Sequence, residues 1–244
     1  PGTYAMPFLF NRNSIREALK NHPGKARRLL VRQGHEKLSE ELIEEARRQG
    51  VAYRILPSEA FAKKCGSPRS HVCLEREDFD YTDQDTFLKR LDTMGPVFLG
   101  ALDGVQDPQN LGNIARSSAC MGVDALILPK DRSCVMNETV ANISRGATEF
   151  IEAVRVTNLS RYLEALKKKG IFCYGLDERG ATTLWEVDLT GPVCLVFGGE
   201  EGLRRLTKET CDAIVRIPTN PSFPSLNVAT SFALACYEVR KQRL

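Results

Sequence analysis

Apolar positions along this chain fall into two kinds of run. Some are short and unbroken, as in Val193-Cys194-Leu195-Val196-Phe197 and Ala213-Ile214-Val215-Arg216-Ile217-Pro218. Others recur at helical spacing, as over residues 226–240. The first kind reads as buried strand, the second as a helix with one apolar face. The two late strands end in similar ways. Phe197 runs into Gly198-Gly199-Glu200-Glu201-Gly202-Leu203. Pro218 runs into a loop over residues 219–224 and then Ser225-Leu226-Asn227-Val228-Ala229, which opens the closing helix. Glycines at a strand end let backbone N–H and C=O groups approach a ligand. Two such loops at the carboxyl ends of neighbouring strands predict a crevice, the usual ligand position in an open α/β sheet.

Upstream, the pattern predicts strands at 97–102, 125–128, 151–156 and 171–176. It predicts helices at 138–144, 159–169 and 207–212, and one that follows Asn113, carries Ile114, Ala115, Ala119 and Cys120 inward and stops at Gly122. This strand–helix alternation predicts an α/β fold with a mostly parallel sheet and helices on both faces. The front of the chain reads as a smaller α/β module. Asn13 or Ser14 can cap a helix striped by Ile15, Ala18 and Leu19, and a breaker cluster follows at 21–24. A strand at 29–31 precedes an amphipathic helix at 37–49 with Leu38, Leu42, Ile43 and Ala46 on one face. Strands at 51–56 and 71–74 flank a helix that starts at 57–61. The predicted domains are 7–76, an acidic connector within 77–94, and 95–244.

Composition narrows the class. The 244 residues are 42% hydrophobic, enough for one large or two modest cores. No apolar run approaches the roughly 18 residues of a membrane span, and no charged-then-apolar leader is visible, so a cytoplasmic protein is expected. The opening Pro1-Gly2-Thr3-Tyr4-Ala5 reads as an artefact that precedes Met6. Eight Cys are spread without any C-x-x-C pair, which predicts reduced thiols, with Cys173 and Cys194 acting as small apolar residues in buried strands. The three His, His22, His35 and His71, all lie in the front module. The larger domain therefore has no imidazole for a Ser-His-Asp triad or a zinc site, and no metal is expected. Residues 1–76 hold 15 Lys and Arg against 8 Asp and Glu, while the whole chain is +3. A basic module on an acidic body suggests a polyanion partner; the alternative is a merely solvated basic face.

Two nucleotide signatures are missing: there is no G-x-x-x-x-G-K-[ST], and no G-x-G-x-x-G follows the first strand of the larger domain. A dinucleotide oxidoreductase therefore lacks its fingerprint. Asn110-x-Gly112-x-x-x-Arg116 can place an amide and a guanidinium near a helix N-terminus, where Arg116 can fork onto a phosphate. The alternative is a cap plus a surface Arg.

Three stretches together resemble the SpoU (TrmH) family of RNA ribose methyltransferases, in the SPOUT superfamily, and its rRNA guanosine-2′-O-methyltransferase branch. They are Asp107-Pro108-Gln109-Asn110-Leu111-Gly112-Asn113-Ile114-Ala115-Arg116, Leu195-Val196-Phe197-Gly198-Gly199-Glu200, and Ile217-Pro218 followed by Ser225-Leu226-Asn227-Val228. Ser144-x-Gly146-Ala147 matches a further family stretch, and the front module, through Phe10-x-Arg12-Asn13-Ser14-Ile15 and His71, resembles a ribosomal-protein-like RNA-binding domain. The resemblance implies a trefoil-knotted α/β fold, S-adenosylmethionine as cofactor, RNA as partner and an obligate homodimer with its sites near the interface. It implies cofactor contacts at Gly198, Ile217, Leu226 and Ser225, and a reacting end formed by Arg116, Asn110, Glu200 and Asn227. The sequence departs from the pattern twice. Glu201-Gly202 follow Glu200 directly where the family has a further residue, and Thr219 and Pro221 stand where it has Met and Gly.

The implied reaction is methylation of a ribose 2′-hydroxyl, with guanosine in large-subunit rRNA favoured and tRNA or a non-catalytic RNA-binding role as alternatives. Without a His, the groups that can handle the hydroxyl are Arg116 and Glu200. A guanidinium pKa above ~12 suits Arg116 to clamping a phosphate and orienting the sugar, with proximity supplying much of the rate.

Overall fold

The computed structural model describes residues 8–67 and 69–244; the reading of Pro1 to Met6, and the first residue of the predicted 7–76 domain, lie outside them. The chain forms two compact units. One comprises the residues up to Phe79 together with Val135–Phe150, the other Asp80–Cys134 and Ile151–Leu244.

The leading unit runs β1 (Phe8–Leu9), α1 (Arg12–Asn21), β2 (Ala26–Arg32), α2 (Glu40–Arg48), β3 (Tyr53–Leu56), α3 (Ser58–Cys65) and β4 (Val72–Arg76). Its sheet has the order β1-β4-β2-β3, with only β2 and β3 parallel. Asn11, not Asn13 or Ser14, caps α1, its Oδ1 accepting from the N–H groups of Asn13 (3.0 Å) and Ser14 (3.4 Å). The helix expected over 37–49 begins with a 3-10 turn, Lys37–Ser39, so Leu38 falls outside the apolar stripe and is 59% exposed, while Leu42, Ile43 and Ala46 are buried.

The main unit runs β5 (Thr82–Asp83), α4 (Gln84–Arg90), β6 (Phe98–Asp103), α5 (Pro108–Met121), β7 (Ala125–Pro129), β8 (Glu152–Val156), α7 (Leu159–Lys168), β9 (Phe172–Leu176), β10 (Thr182–Thr183), β11 (Val193–Gly198), α8 (Arg205–Thr210), β12 (Ala213–Arg216) and α9 (Val228–Gln242). Its eight strands are all parallel, in the order β10-β12-β9-β11-β6-β7-β8-β5. The central strands β6 and β7 are buried along their whole length, as expected when both faces of a parallel sheet are covered. Gly100 in β6 lets Phe232 of α9 lie against the sheet; a Cβ there would sit 2.9 Å from the ring. On α5 the inward face is Leu111, Ile114, Ala115 and Ser118. Ala119 is only half-buried and Cys120 is exposed, because the apolar stripe ends one turn before the helix does. Among the described residues no helix is long and apolar enough to cross a membrane.

Two stretches sit differently from their sequence reading. Most of the predicted connector at 77–94 is ordered main-unit structure. β5 pairs with β8, Asp83 caps α4, and Phe87 and Leu91, four residues apart on one helical face, enter the core. The helix predicted at 138–144 is present as α6 (Glu138–Ser144), but it packs in the leading unit. There Ala141 joins the core, Asn142 Oδ1 accepts from the N–H groups of Phe10 (3.1 Å) and Asn11 (3.0 Å), and Arg76 makes a buried ion pair with Glu149. Gly146, at φ +98°, completes the fit, since a Cβ there would lie 3.1 Å from the Ser14 backbone.

Candidate active site

The chemistry-bearing loops of the main unit leave the carboxyl ends of its strands. β11 and β12 are not neighbours, as the sequence suggested; β9 lies between them and contributes a third loop. The three loops, with the start of α5, enclose a cavity of about 670 Å³, within the usual range for a small-molecule site. Asn110, Gly198, Glu200, Ile217, Ser225, Leu226 and Asn227 all line it. Arg116 does not. It lies six residues beyond Asn110 on α5, exposed, and lines neither this cavity nor its neighbour.

The glycines of the β11 loop serve the loop itself. A Cβ on Gly198 would lie 2.1 Å from the Gly202 carbonyl carbon, and one on Gly199 would lie 2.2 Å from Gly104 O in the loop after β6. The turn is closed by Gly202 N–H on Gly199 O (3.0 Å) and tied to β6 by Gly199 N–H on Asp103 O (2.9 Å). Asp103 is buried at the end of β6. Its carboxylate takes the backbone N–H of Arg204 (2.9 Å) and pairs with the Arg204 guanidinium, fixing the far end of the same loop. A charge-assisted clamp of this kind holds a loop more firmly than neutral contacts do. Sequence reading missed both residues, because neither falls in a motif.

Asn110 and Asn227, 117 positions apart, meet inside the cavity wall. Asn227 caps α9 with Oδ1, which accepts from the N–H groups of Ala229 (2.9 Å) and Thr230 (3.3 Å). Its Nδ2 must then be the donor to Asn110 Oδ1 (2.9 Å). Asn110 is thereby held with its own Nδ2 pointing away from Asn227, and that group has no hydrogen-bond partner among the described residues. The helix cap thus fixes an N–H donor at the wall.

The β9 loop adds Asp177 and Arg179, and α8 adds Lys208. Lys208 Nζ lies 2.7 Å from Asp177 Oδ2. Burial pushes the Asp177 carboxyl up, but Lys208 and the Arg179 N–H outweigh it and hold the group below its ordinary range. The acidic residues on the lining, Asp177, Glu178, Glu200 and Glu201, outnumber the basic ones, Arg179 and Lys208. Such a surface favours a cationic ligand with apolar parts, which Ile217 and Leu226 can cover. Thr219 Oγ1 donates to Pro224 O (3.0 Å), so the loop that departs from the family pattern closes on itself, with Thr219 and Pro224 on the lining and Pro221 off it. Among the described residues no cluster of His, Cys, Asp and Glu is arranged to hold a metal ion.

A parallel α/β sheet with a cavity of small-molecule size at its carboxyl edge, walled by three loops and an amide pair and lined by more acidic than basic residues, defines an α/β protein with a small-ligand site. The SpoU rRNA Methylase family matches residues 98–237, and a family described as RNA 2′-O ribose methyltransferase substrate binding matches residues 9–78. The 23S rRNA (guanosine-2′-O-)-methyltransferase RlmB of Xanthomonas campestris pv. campestris is 38% identical over 237 residues, 95% of each chain. That of Coxiella burnetii is 39% identical over 83% of this chain and 82% of its own. Among solved structures, the SpoU methyltransferase AviRb from Streptomyces viridochromogenes, in complex with AdoMet, superposes with a TM-score of 0.78 at 24% identity, covering 97% of this chain and 90% of its own. The AdoMet-bound rRNA methyltransferase from Sinorhizobium meliloti gives 0.78 at 21% identity, covering 98% and 88%. This chain belongs to the SpoU rRNA methylase family.

Proposed function

We propose that this protein methylates a ribose 2′-hydroxyl in large-subunit rRNA, with guanosine as the favoured nucleotide, at the expense of S-adenosylmethionine. The observation that carries the reading is the meeting of all three motif loops on one cavity, with Asn110, Glu200 and Asn227 in its wall. The names of the relatives from Xanthomonas and Coxiella favour rRNA over tRNA.

The cofactor suits the residues present. The net acidic lining matches a sulfonium and an ammonium group, and Gly198, Ile217, Ser225 and Leu226 would hold the adenosine and methionine parts. When bound, S-adenosylmethionine supplies an electrophilic methyl group. The chain supplies the rest. The free Asn110 Nδ2 orients the acceptor sugar through a hydroxyl oxygen, and Glu200, exposed at the boundary of the cavity, accepts the hydroxyl hydrogen bond and can take the proton. Arg116 keeps the role of phosphate clamp and orienter that its guanidinium suits. Its place outside the cavity supports a homodimer in which it serves the site from the interface, and the exposed Leu234 and Tyr237 on α9 give such an interface an apolar face. The trefoil threading and a cytoplasmic location, where rRNA is found, belong to the same reading.

Calorimetry with S-adenosylmethionine, followed by mapping of methylated riboses in rRNA and tRNA exposed to the enzyme, tests the proposal. Saturable binding and a single new methylated guanosine in large-subunit rRNA are expected. No binding would leave only an RNA-binding role, and a mark confined to tRNA would reassign the substrate.

A further inference from the structure

The loop of Gly199 to Gly202 has a second cavity behind it, of about 430 Å³, which shares Asn110, Glu200 and Glu201 with the first. Asn110, whose Nδ2 has no hydrogen-bond partner among the described residues, lines both cavities. Two arginines, Arg132 and Arg204, line this second space. Arg204 is committed to the buried carboxylate of Asp103. Arg132 has no hydrogen bond or ion pair among the described residues, although Asp107, Glu200 and Glu201 line the same space and only Asp103 is neutralised there, by Arg204.

The backbone of Arg132 is unusual as well. It holds φ +52°, one of two non-glycine residues in the left-handed region among those described. That conformation is disfavoured for an arginine and natural to glycine or asparagine. Its loop is tied to the first motif loop by Cys134 N–H on Val105 O (2.8 Å). The chain therefore keeps a long cationic side chain at a position better suited to glycine, on a loop fixed to the Asn110 segment. Strained residues of this kind cluster where a site needs them.

We propose that the second cavity seats the acceptor nucleotide and that Arg132 holds its phosphodiester. The inference rests on the methyltransferase reading and names the group that receives RNA there. The 3′-phosphodiester hangs from the carbon next to the one bearing the 2′-hydroxyl, so a site that presents that hydroxyl to Asn110 must receive the phosphate beside it. A guanidinium matches a phosphate in charge and in paired donors. Arg116 lines neither cavity, and Arg132 is the arginine of the second lining without a partner among the described residues.

The test uses the full-length enzyme and an rRNA fragment that contains the methylated site. Arg132→Gly removes the guanidinium and relaxes the backbone, Arg132→Asn removes it while tolerating the same φ, and Arg132→Lys keeps the charge without the fork. Expected are an unchanged or raised melting temperature for Arg132→Gly and an unchanged Kd for S-adenosylmethionine in all three. In Arg132→Gly and Arg132→Asn, kcat/KM for the fragment should fall about 10- to 100-fold, and the slope of log binding constant against log salt should lose about one phosphate contact. Arg132→Lys should restore the slope but only part of the turnover. Wild-type kcat/KM and salt slope in both Arg132→Gly and Arg132→Asn would overturn the proposal and leave the methyltransferase reading intact. A lower melting temperature in both would also overturn it, by making Arg132 a structural residue. Absence of cofactor binding and methyl transfer in the wild type would instead overturn the methyltransferase reading, and this proposal with it.

Discussion

Gly198 separates two explanations of the glycine-rich loop. If its purpose is only to let a ligand approach the backbone, Gly198→Ala should weaken cofactor binding and leave the free protein's stability alone. The structure predicts otherwise. The new methyl would lie 2.1 Å from the Gly202 carbonyl carbon and 2.3 Å from Leu203 N, where ordinary contact begins at 3.4 Å, so the loop must open by about 1.3 Å. Both opposing atoms are backbone and cannot swing aside. Overpacking of this kind costs about 1–3 kcal/mol. Opening the turn also strains the Gly202-to-Gly199 hydrogen bond, worth about 1 kcal/mol. The sum, about 3 kcal/mol, corresponds to a fall in melting temperature of about 6–12 °C for a domain of this size. Thermal unfolding followed by circular dichroism, without cofactor, reads it directly. Gly191→Ala is the control: that glycine has no atom within 4 Å of its would-be Cβ and no positive φ, so its melting temperature should hold or rise slightly. A Gly198→Ala protein that melts within 2 °C of wild type while losing cofactor affinity would refute the intramolecular argument.

Asn227→Asp should keep the cap on α9, and hence the melting temperature, while placing an acceptor opposite Asn110 Oδ1. The Asn110 amide must then turn its N–H groups toward residue 227, and methyl transfer should fall about 100-fold with little change in stability; near-normal turnover would show that the Asn110 donor is not used. In the leading unit, slight desolvation of the exposed ring, then the neighbouring His35 ring stacked at 4.0 Å, then Arg32, hold the His71 imidazole below its ordinary value of 6.5. The unfolded chain therefore takes up this proton first as pH falls, so the stability linked to His71 is complete above pH 6.5 and declines as pH drops through the lower folded value. An NMR titration of the ring C–H signals should give a midpoint below 6.5; a midpoint at or above it would contradict the stacked arrangement.

Much of this architecture is legible in the pattern of apolar runs, because a parallel sheet buried on both faces must be written as unbroken apolar strands. The predicted main-unit strands, β6 to β9, β11 and β12, begin and end within two residues of their predicted limits, whereas the two-residue strands β5 and β10 carry no run long enough to be read. α9 starts two residues later than its pattern because Asn227, read as part of the helix, is its cap. What the sequence conceals is lateral order. Nothing in the runs at 193–197 and 213–218 tells that the strand at 172–176 separates them, so the Asp177–Lys208 wall could not be foreseen. The excursion of α6 into the leading unit is hidden for the same reason. Its apolar stripe declares that it is buried somewhere, but Ala141 carries no mark of which core receives it.

The site residues divide along the same line. Asn110, Glu200 and Asn227 were found through motifs, whereas Asp103, Arg204 and Arg132 were not, although they hold or complete the same loops. The difference is physical. A motif records side chains that face a ligand from one continuous segment, while Asp103 and Arg204 meet only because β6 and β11 are adjacent in register, with Gly198 opposite Asp103. That register brings the buried carboxylate beneath the turn, the turn requires the two glycines, and the turned loop divides the space into two cavities with Asn110 between them. A change that shifts β11 by one residue against β6 would therefore abolish the clamp, the turn and the shared wall together, even with every motif residue intact.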